Sequence, residues 1–524
     1  MGFLANEERD VNHYVTDDES ANAINAFKSA IIRALGAEAI AADAETCAGY
    51  GSHTLPDADH IPSAVLFPSS TDDVQTMVRV ANEHGVPLFP ISKGRNLGLG
   101  SRAPMRNGQV VVDLGKHMNR ILEVNDDLSF CVIEPGVTFD DLYAELEHRG
   151  GKLMMSPTAG PKDGSVLGNS LDKGGGSGPA GNHFDNVCGM EVVLGNGEVI
   201  RTGDGGLDVP THPNWHVTKY SFGPALDGLF TQSNYGIVTR AGVWLTRKPA
   251  HMRLFFFTFP DDSDLSEIIE LIRPLKAANM VPTLIRATND LYLLSSQERH
   301  PRSEATNCSP LSNDERRELQ KAYGTGAWTV SGALFGENEA ATLNSMERVR
   351  KHFEASGKSR YIPDEAARNM PHLQAAVNSN SGKPAAGELG MLKWRPGEGA
   401  IWLTPGAPMI GSVINELQAA CREIANSNGL DYMASFVCGP RFARGVHAII
   451  YNRGDADECK RADLVYRAMS EVFRDRGIFV GRAPTSYQSF HQEQRTPAIV
   501  DACAAIKRAL DPNGIIAPGR YGIE

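Results

Sequence analysis

Residues 90–100 read Pro90-Ile-Ser-Lys-Gly94-Arg-Asn-Leu-Gly98-Leu-Gly100, a stretch too rich in glycine for a helix or a strand. What precedes it gives it meaning. An apolar run over 64–67 leads to Ser70, Thr71, Asp72 and Asp73, residues that cap a helix and suit its first turn, with Val74, Met77 and Val80 on one face. Residues 87–92 predict a strand that runs straight into the glycines. The opening unit is therefore strand, helix, strand and glycine loop. Further strands are predicted over 110–113 and 128–133, then a helix over 139–149 capped by Thr138. Strands over 190–194 and 198–201 flank Asn196-Gly197, a strong hairpin signal. A strand over 237–245 ends before Lys248-Pro249, completing one α+β domain. Beyond Pro249 come a strand (254–259), a helix (265–278), a polar region (295–326) and a loop-like stretch (377–388). A helix with Val413, Ile414, Leu417 and Ile424 inward, a strand (448–451) and a long helix (460–474) complete a second α+β unit.

The 524 residues are 41% apolar and 22% charged, enough to bury a large core, and at roughly 150 residues per domain they divide into two to four domains. Fifty-one Lys and Arg against 63 Asp and Glu leave a net charge of -12, the wrong sign for neutralising nucleic-acid phosphates. The eight cysteines, Cys47, Cys131, Cys188, Cys308, Cys421, Cys438, Cys459 and Cys503, show no CxxC and no metal-type spacing. Neither a disulfide framework nor a metal site is expected. No apolar run approaches the ~20 residues of a membrane span. Residues 1–20 are acidic and polar where a secretory signal is basic and then apolar. A cytoplasmic protein without membrane or nucleic-acid partners is expected.

Gly176-Ser-Gly178-Pro-Ala-Gly181 has the letters GxGxxG of a dinucleotide fold but not its mechanics. That fingerprint needs a strand before it and a helix N-terminus after it. Here Pro179 interrupts it and the Asn196-Gly197 hairpin follows. Gly357-Lys358-Ser359 lacks the earlier glycine of a Walker A loop, and HExxH and GxSxG are missing. Two glycine loops remain, 94–100 and 174–181, whose freed amides can form concave anion sites. Gly164-Ser165-Val-Leu-Gly168-Asn169-Ser-Leu-Asp172 reads as a short helix with small residues at its start. Taken singly, each loop is equally a turn around a sheet.

Their order along the chain is specific. After the first loop come Gly164-Ser165 to Asn169 with Asp172-Lys173-Gly174, then Gly189-Met-Glu-Val-Val-Leu-Gly-Asn-Gly-Glu198 to Arg201-Thr202-Gly203. Tyr220-Ser-Phe-Gly-Pro-Ala-Leu-Asp-Gly-Leu-Phe230, Gln232-Ser-Asn-Tyr-Gly236-Ile-Val-Thr and Asp511-Pro-Asn-Gly-Ile-Ile-Ala-Pro-Gly519-Arg520 follow. Together they resemble the vanillyl-alcohol oxidase and p-cresol methylhydroxylase family of flavoproteins over nearly the whole chain, most closely over 60–248 and 505–524. The resemblance implies a two-domain α+β flavoprotein. A PCMH-type FAD-binding domain would comprise residues 1–248, completed by 481–524, and an α+β substrate cap residues 249–480. It implies that Pro90, Ile91, Ser92, Lys93, Gly94, Arg95 and Asn96, with Gly164, Ser165, Gly168 and Asn169, cradle the FAD pyrophosphate. Pro157, Thr158, Asp172 and Gly181 would line the same cofactor, and Gly236, Ile237 and Val238 would border its adenine side. Arg520 would lie near the isoalloxazine, where hydride delivery leaves negative charge that a fixed cation stabilises; a terminal arginine paired with a surface carboxylate is the other reading. Asp172 matches a family aspartate beside flavin N5, with a helix-ending acid as its alternative. Burial there is expected to raise its pKa, as suits a general base.

Departures from the family pattern bear on the substrate. Phenol-oxidising relatives place a Tyr in the first loop, where this chain has Leu99, and a Tyr-Arg pair before the C-terminal segment, where the best ungapped match is Pro484-Thr485. The phenolate clamp thus reads as dismantled, with Tyr487, His491 and Arg482 as possible replacements or as plain surface and core residues. Covalent flavin attachment in relatives uses a His or Tyr whose matching position in Gly399-Ala400-Ile-Trp402-Leu-Thr404-Pro405 is Ala400. Alanine has no nucleophile, so non-covalent FAD is expected, with Trp402 either lining the cavity or in the core. Arg441, Arg444 and His447, and Lys393, Trp394 and Arg395, are candidates for the pocket, arginine being suited to a carboxylate or phenolate. The expected catalytic set is Asp172, Arg520, Arg444 and Tyr487. The expected activity is FAD-dependent hydride abstraction from a benzylic or allylic carbon of an aromatic alcohol or alkylphenol. Electrons would pass to oxygen or a separate redox protein, in a homodimer or larger assembly. A non-phenolic alcohol or 2-hydroxy acid is the second substrate reading, and a non-catalytic flavin-binding module the alternative of another class.

Overall fold

A computed structural model describes residues 17–303 and 309–524; the N-terminal segment 1–16 and Cys308 lie outside the described residues. Ala64–Leu66, Val110–Asp113 and Leu88–Ile91 lie side by side in parallel, with Ile40–Ala41 antiparallel at one edge. Parallel neighbours need a crossover, and the helix Thr71–His84 provides it. Ser70 accepts from the Asp73 N–H, Asp72 and Asp73 sit in the first turn, and Gly85 ends the helix at φ +63°. Val74, Met77, Val78 and Ala81 of this helix are fully buried against the sheet.

The C-terminus returns to the same sheet. The Leu88 N–H donates to Ile515, and its carbonyl accepts from Ala517. Buried Lys507 donates to Asp511 and to the carbonyls of Asn234 and Ile516, fastening the helix Pro497–Leu510 beside them. A second, antiparallel sheet has the order Ile121–Asn125, Phe130–Ile133, Gly236–Trp244, Val187–Leu194, Val199–Arg201. Its hairpin turns at Asn196-Gly197, with Gly197 at φ +81°. Val193 and Ile237 of this sheet reach into the core of the first.

The second domain is built on an antiparallel sheet ordered Arg360–Ile362, His251–Phe259, Trp328–Gly336, Ile285–Asn289, Met433–Cys438, Phe442–Tyr451 and Gly399–Leu403, with Gly406–Pro408 also paired to Phe442–Tyr451. Helices Leu265–Ala277, Glu339–Glu354, Gly411–Ser427 and Ala456–Arg474 cover one face, burying Phe255, Phe257, Trp328, Ile401 and Phe436. The opposite face turns Arg286, Trp402, Val437, Arg444 and Val446 toward the first domain. The two-residue period of a strand thus separates core from cavity wall. The polar region 295–326 contains the helix Asn313–Tyr323, opened by a reciprocal Ser312 and Glu315 cap. The loop-like stretch 377–388 begins inside the helix Gln374–Asn380. No helix among the described residues is long and apolar enough to cross a membrane.

Candidate active site

A cavity of about 360 Å³ opens where the glycine loops of the first domain face the cap sheet. Residues 90–97 form its first wall. The N–H groups of Lys93, Gly94, Arg95, Asn96 and Leu97 donate to no backbone acceptor among the described residues. Gly94 at φ +59° and Gly98 at φ +71° give the loop its curvature. The loop is pinned from both sides: Gly98 donates to Thr54 Oγ1 (2.8 Å), and its carbonyl accepts from the Trp402 N–H (3.1 Å). Beneath it, a Cβ on Gly115 would lie 1.9 Å from the Ser92 carbonyl oxygen. Backbone cannot yield as a side-chain tip does, so Gly115→Ala is expected to destabilise by about 1–3 kcal/mol. Gly228→Ala, with nothing within 4 Å of the new methyl, is expected to stay within about 0.5 kcal/mol of the parent. Thermal denaturation of both variants checks this.

The second wall is the turn into Val166–Leu171. Ser165 accepts from the Gly168 N–H and donates to the Pro135 carbonyl, and a Cβ on Gly168 would meet Ser92 Oγ at 2.0 Å, so the two loops close against each other. Thr158, Gly164, Ser165, Gly168, Asn169 and Asp172 line the cavity, as do Gly236, Ile237 and Val238. Pro157 and Gly181 do not. The Gly176 N–H donates to the Gly181 carbonyl, which folds 176–181 back on itself and leaves only Gly175, Gly176 and Ser177 at the wall. Amide donors without protein partners, in a hollow that glycines keep open, fit the pyrophosphate of FAD.

The two domains meet at Asp172. Its Oδ2 accepts from Arg482 Nη2 (2.6 Å), Arg482 Nε (3.1 Å) and Asn96 Nδ2 (3.2 Å), and its Oδ1 from the Tyr521 hydroxyl (3.0 Å). Burial pushes the Asp172 carboxyl up, but the Arg482 and Arg520 charges outweigh it and hold the pKa below the usual carboxylate value. The expected upward shift is therefore overturned, because Arg482 is drawn in from far along the chain. Arg520 lies over the rings of Tyr521 (4.7 Å) and Phe89 (5.5 Å). Burial acts against its charge, yet Tyr521 and Asp172 raise its pKa. Backbone strain gathers here: Ser101, Gln232, Ala517 and Tyr521 line the cavity at φ +54°, +46°, +41° and +57°, a cost that over-determined functional sites sustain. Asn234 Nδ2 holds the strained tail through the carbonyls of Ala517 and Ile523.

The cap contributes one row across three strands. Arg286 pairs in register with Val437, and Val437 with Arg444. Arg286 donates to Glu388 and Ser435, and Tyr292 donates to Glu388. Of the cap candidates only Arg444 and Trp402 reach the cavity. His447 is three residues from Arg444, hence on the opposite face, buried among Tyr432, Phe436 and Phe473; burial lowers its pKa to about 3. Trp394 donates to Asp431 and buried Arg395 pairs with Glu458, while Lys393 and Arg441 point to solvent. Tyr487 is withdrawn from the catalytic set: it is buried, stacked on Tyr466 at 3.8 Å, away from the cavity wall, and His491 lies against the same ring. Pro484 and Thr485 also miss the wall; the arginine that reaches it is Arg482. Ala400 is fully buried in the cap sheet and does not line the cavity.

Sequence reasoning passed over Gln232, Asn234, Arg286, Tyr292 and Glu388. Arg286 gave little signal: its strand Ile285–Asn289 reads IRATN, polar at Arg286, Thr288 and Asn289, so no local apolar pattern marked it as buried. Glu388 gave none, standing in the short 3-10 helix Gly387–Lys393 at the end of the stretch read as loop-like. Elsewhere, His53, Asp57 and His60 bring ligand-type atoms within 4.8 Å of one another. Both His53 nitrogens are already engaged, with the Leu55 N–H and the Ala58 carbonyl, so this is a hydrogen-bonded corner.

Comparison with known proteins finds two family models along the chain. A family model of an FAD binding domain matches residues 62–203, and one of the C-terminal domain of FAD linked oxidases matches 248–521. The flavoprotein subunit of 4-cresol dehydrogenase [hydroxylating] from Pseudomonas putida is 35% identical over 97% of this chain and 97% of its own. The 1'-carboxy-chondrochloren decarboxylase of Chondromyces crocatus is 33% identical over 92% of this chain and 93% of its own. The crystal structure of p-cresol methylhydroxylase with substrate bound superposes with a TM-score of 0.92 at 34% identity, covering 98% of both chains.

Proposed function

The chain belongs to the vanillyl-alcohol oxidase and p-cresol methylhydroxylase family of FAD-dependent oxidoreductases, and from that membership we propose that it abstracts a hydride from a benzylic or allylic carbon of an aromatic alcohol or alkylphenol. The observation that carries this reading is the position of Asp172, at the seam between the amide-lined hollow and the apolar cap wall. In this proposal residues 1–248 with 481–524 hold the cofactor and 249–480 form the cap. Bound FAD supplies the hydride acceptor. The unpartnered amides of 93–97, with the turn at 164–169, grip its diphosphate, and Gly236 to Val238 border the adenine. Arg520 places a fixed cation where negative charge accumulates during hydride delivery. Asp172, ionised near neutral pH, accepts the proton of the substrate hydroxyl, while Arg482, Asn96 and Tyr521 fix its orientation. Leu97, Leu99, Met391, Trp402, Val437 and Val446 give the aromatic ring an apolar slot and keep water out.

FAD is held non-covalently, and the cavity wall supports this where Ala400, buried away from it, does not. No His or Cys lines the cavity among the described residues, and the Tyr292 and Tyr521 hydroxyls are engaged with Glu388 and Asp172. Purified protein is expected to be yellow, and acid precipitation to leave the colour in the supernatant. Under anaerobic conditions para-alkylphenols and aromatic alcohols are expected to bleach the flavin. Bleaching by aliphatic alcohols and 2-hydroxy acids alone would remove the phenol reading. The acceptor, oxygen or a separate redox protein, is distinguished by assaying peroxide during turnover.

A further inference from the structure

Six cationic side chains line the cavity among the described residues; Lys93 donates to the Gly115 carbonyl and Arg95 pairs with Asp163, which leaves four arginines to account for. Arg482 is paired with Asp172, Arg286 with Glu388, and Arg520 is stacked between aromatic rings beside the Tyr521 hydroxyl. The Arg444 guanidinium alone among these four has neither a hydrogen bond nor an ion pair to any described residue, although the residue is half-buried and faces the cavity. Its placement is built. Register puts it one strand from Val437, and Val446 shares its face two residues on. Gly175 leaves room for the guanidinium, since a Cβ there would lie 2.3 Å from Arg444 Nη1. Burial, and then the nearby Arg482 charge, pull the Arg444 guanidinium down to about 10, with Asp185 acting the other way. The four arginines face only two carboxylates on this wall, Asp172 and Glu388.

A half-buried guanidinium that faces a cavity without a protein acceptor leaves its donors free for a ligand. Its planar, bidentate fork matches a carboxylate better than a phenol oxygen. We propose that Arg444 is a carboxylate subsite and that the natural substrate is an aromatic compound bearing a carboxylate. This rests on the flavoprotein reading and narrows it: the apolar slot takes the ring and Arg444 takes the anion. The carboxylate has two sources, a ring substituent remote from the oxidised carbon or the acid group of an aromatic 2-hydroxy acid.

The test uses the FAD-containing protein and two readouts, flavin difference absorbance and titration calorimetry, with 4-methylbenzoate, mandelate and 4-methylphenol as probes. The wild type is expected to bind at least one of the two carboxylates about 10-fold or more tighter than 4-methylphenol, which by itself requires no variant. Arg444→Gln is expected to weaken that carboxylate about 30-fold or more, as removal of one partner of a desolvated charge pair does, while shifting 4-methylphenol less than about 3-fold; Arg444→Lys recovers part of the loss. Preference for 4-methylbenzoate identifies the ring carboxylate, and preference for mandelate the 2-hydroxy acid. Tighter binding of 4-methylphenol by the wild type, or equal losses for both ligand classes in Arg444→Gln, would overturn the subsite. Colourless protein that still binds a carboxylate through Arg444 by calorimetry would instead defeat the flavin reading and uphold the subsite.

Discussion

Replacing Asp172 with asparagine is expected to slow anaerobic flavin reduction about 100-fold or more near neutral pH, the loss typical of a positioned proton acceptor. The substitution keeps the shape and removes the charge that four hydrogen bonds from Arg482, Asn96 and Tyr521 converge on. It also strands Arg482, whose side chain is only 15% exposed. An uncompensated charge at such a site costs about 3–5 kcal/mol, so thermal stability falls with the rate. The double variant Asp172→Asn/Arg482→Met separates the two effects. It removes the stranded charge and is expected to regain most of the stability and none of the rate. Regaining both would reduce Asp172 to a structural acid. The pH dependence has a defined sign. Because the folded pKa of Asp172 lies below its ordinary value, the stabilisation is complete above about pH 4 and is lost as pH falls through the folded value. Wild type and single variant therefore converge in stability only in acid. The rate of the wild type is expected to stay flat from neutrality down toward the ordinary carboxylate range.

That acidic behaviour was unreadable in the sequence for a physical reason. Asp172 and Arg482 are 310 residues apart, and their contact depends on the C-terminal segment folding back across both domains. The opening unit was legible because its signals are local: caps at Ser70, one-sided Val74 and Met77, and the Asn196-Gly197 turn. The cap sheet was less so. Trp328–Gly336, Met433–Cys438 and Gly399–Leu403 are buried on nearly every residue, between helices and cavity. Strands covered on both faces lose the alternation that marks a half-exposed strand. Arg444 and His447 were grouped as pocket candidates because the predicted strand, 448–451, stopped short of both; in the full strand Phe442–Tyr451, residues three apart face opposite ways. Tyr487 was misplaced for a different reason. It follows Arg482 by five residues through an irregular turn, where no periodicity says which side chain faces inward.

Replacing Arg520 with methionine is expected to lower the flavin reduction rate about 100- to 1,000-fold, the cost of removing one preorganised charge or donor from a developing anion. Arg520 is suited to that position by what surrounds it. Left-handed Ala517, Gly519 and Tyr521 bend the tail so that the guanidinium enters the cavity between Phe89 and the Tyr521 ring. The single hydrogen bond it makes to a described side chain, to the Tyr521 hydroxyl, is long at 3.4 Å. Its donors are therefore mostly uncommitted, unlike those of Arg482. The same fact predicts a small effect on folding. Methionine fills similar volume between the two rings, and Asp172 keeps Arg482 as its partner, so stability is expected to change by about 1 kcal/mol or less. Arg520→Lys restores a cation without the planar fork and is expected to recover only part of the rate. Stopped-flow reduction of both variants, beside their melting curves, decides the matter: a methionine variant reduced within about 3-fold of wild type would leave the accumulating negative charge with no protein cation assigned to it.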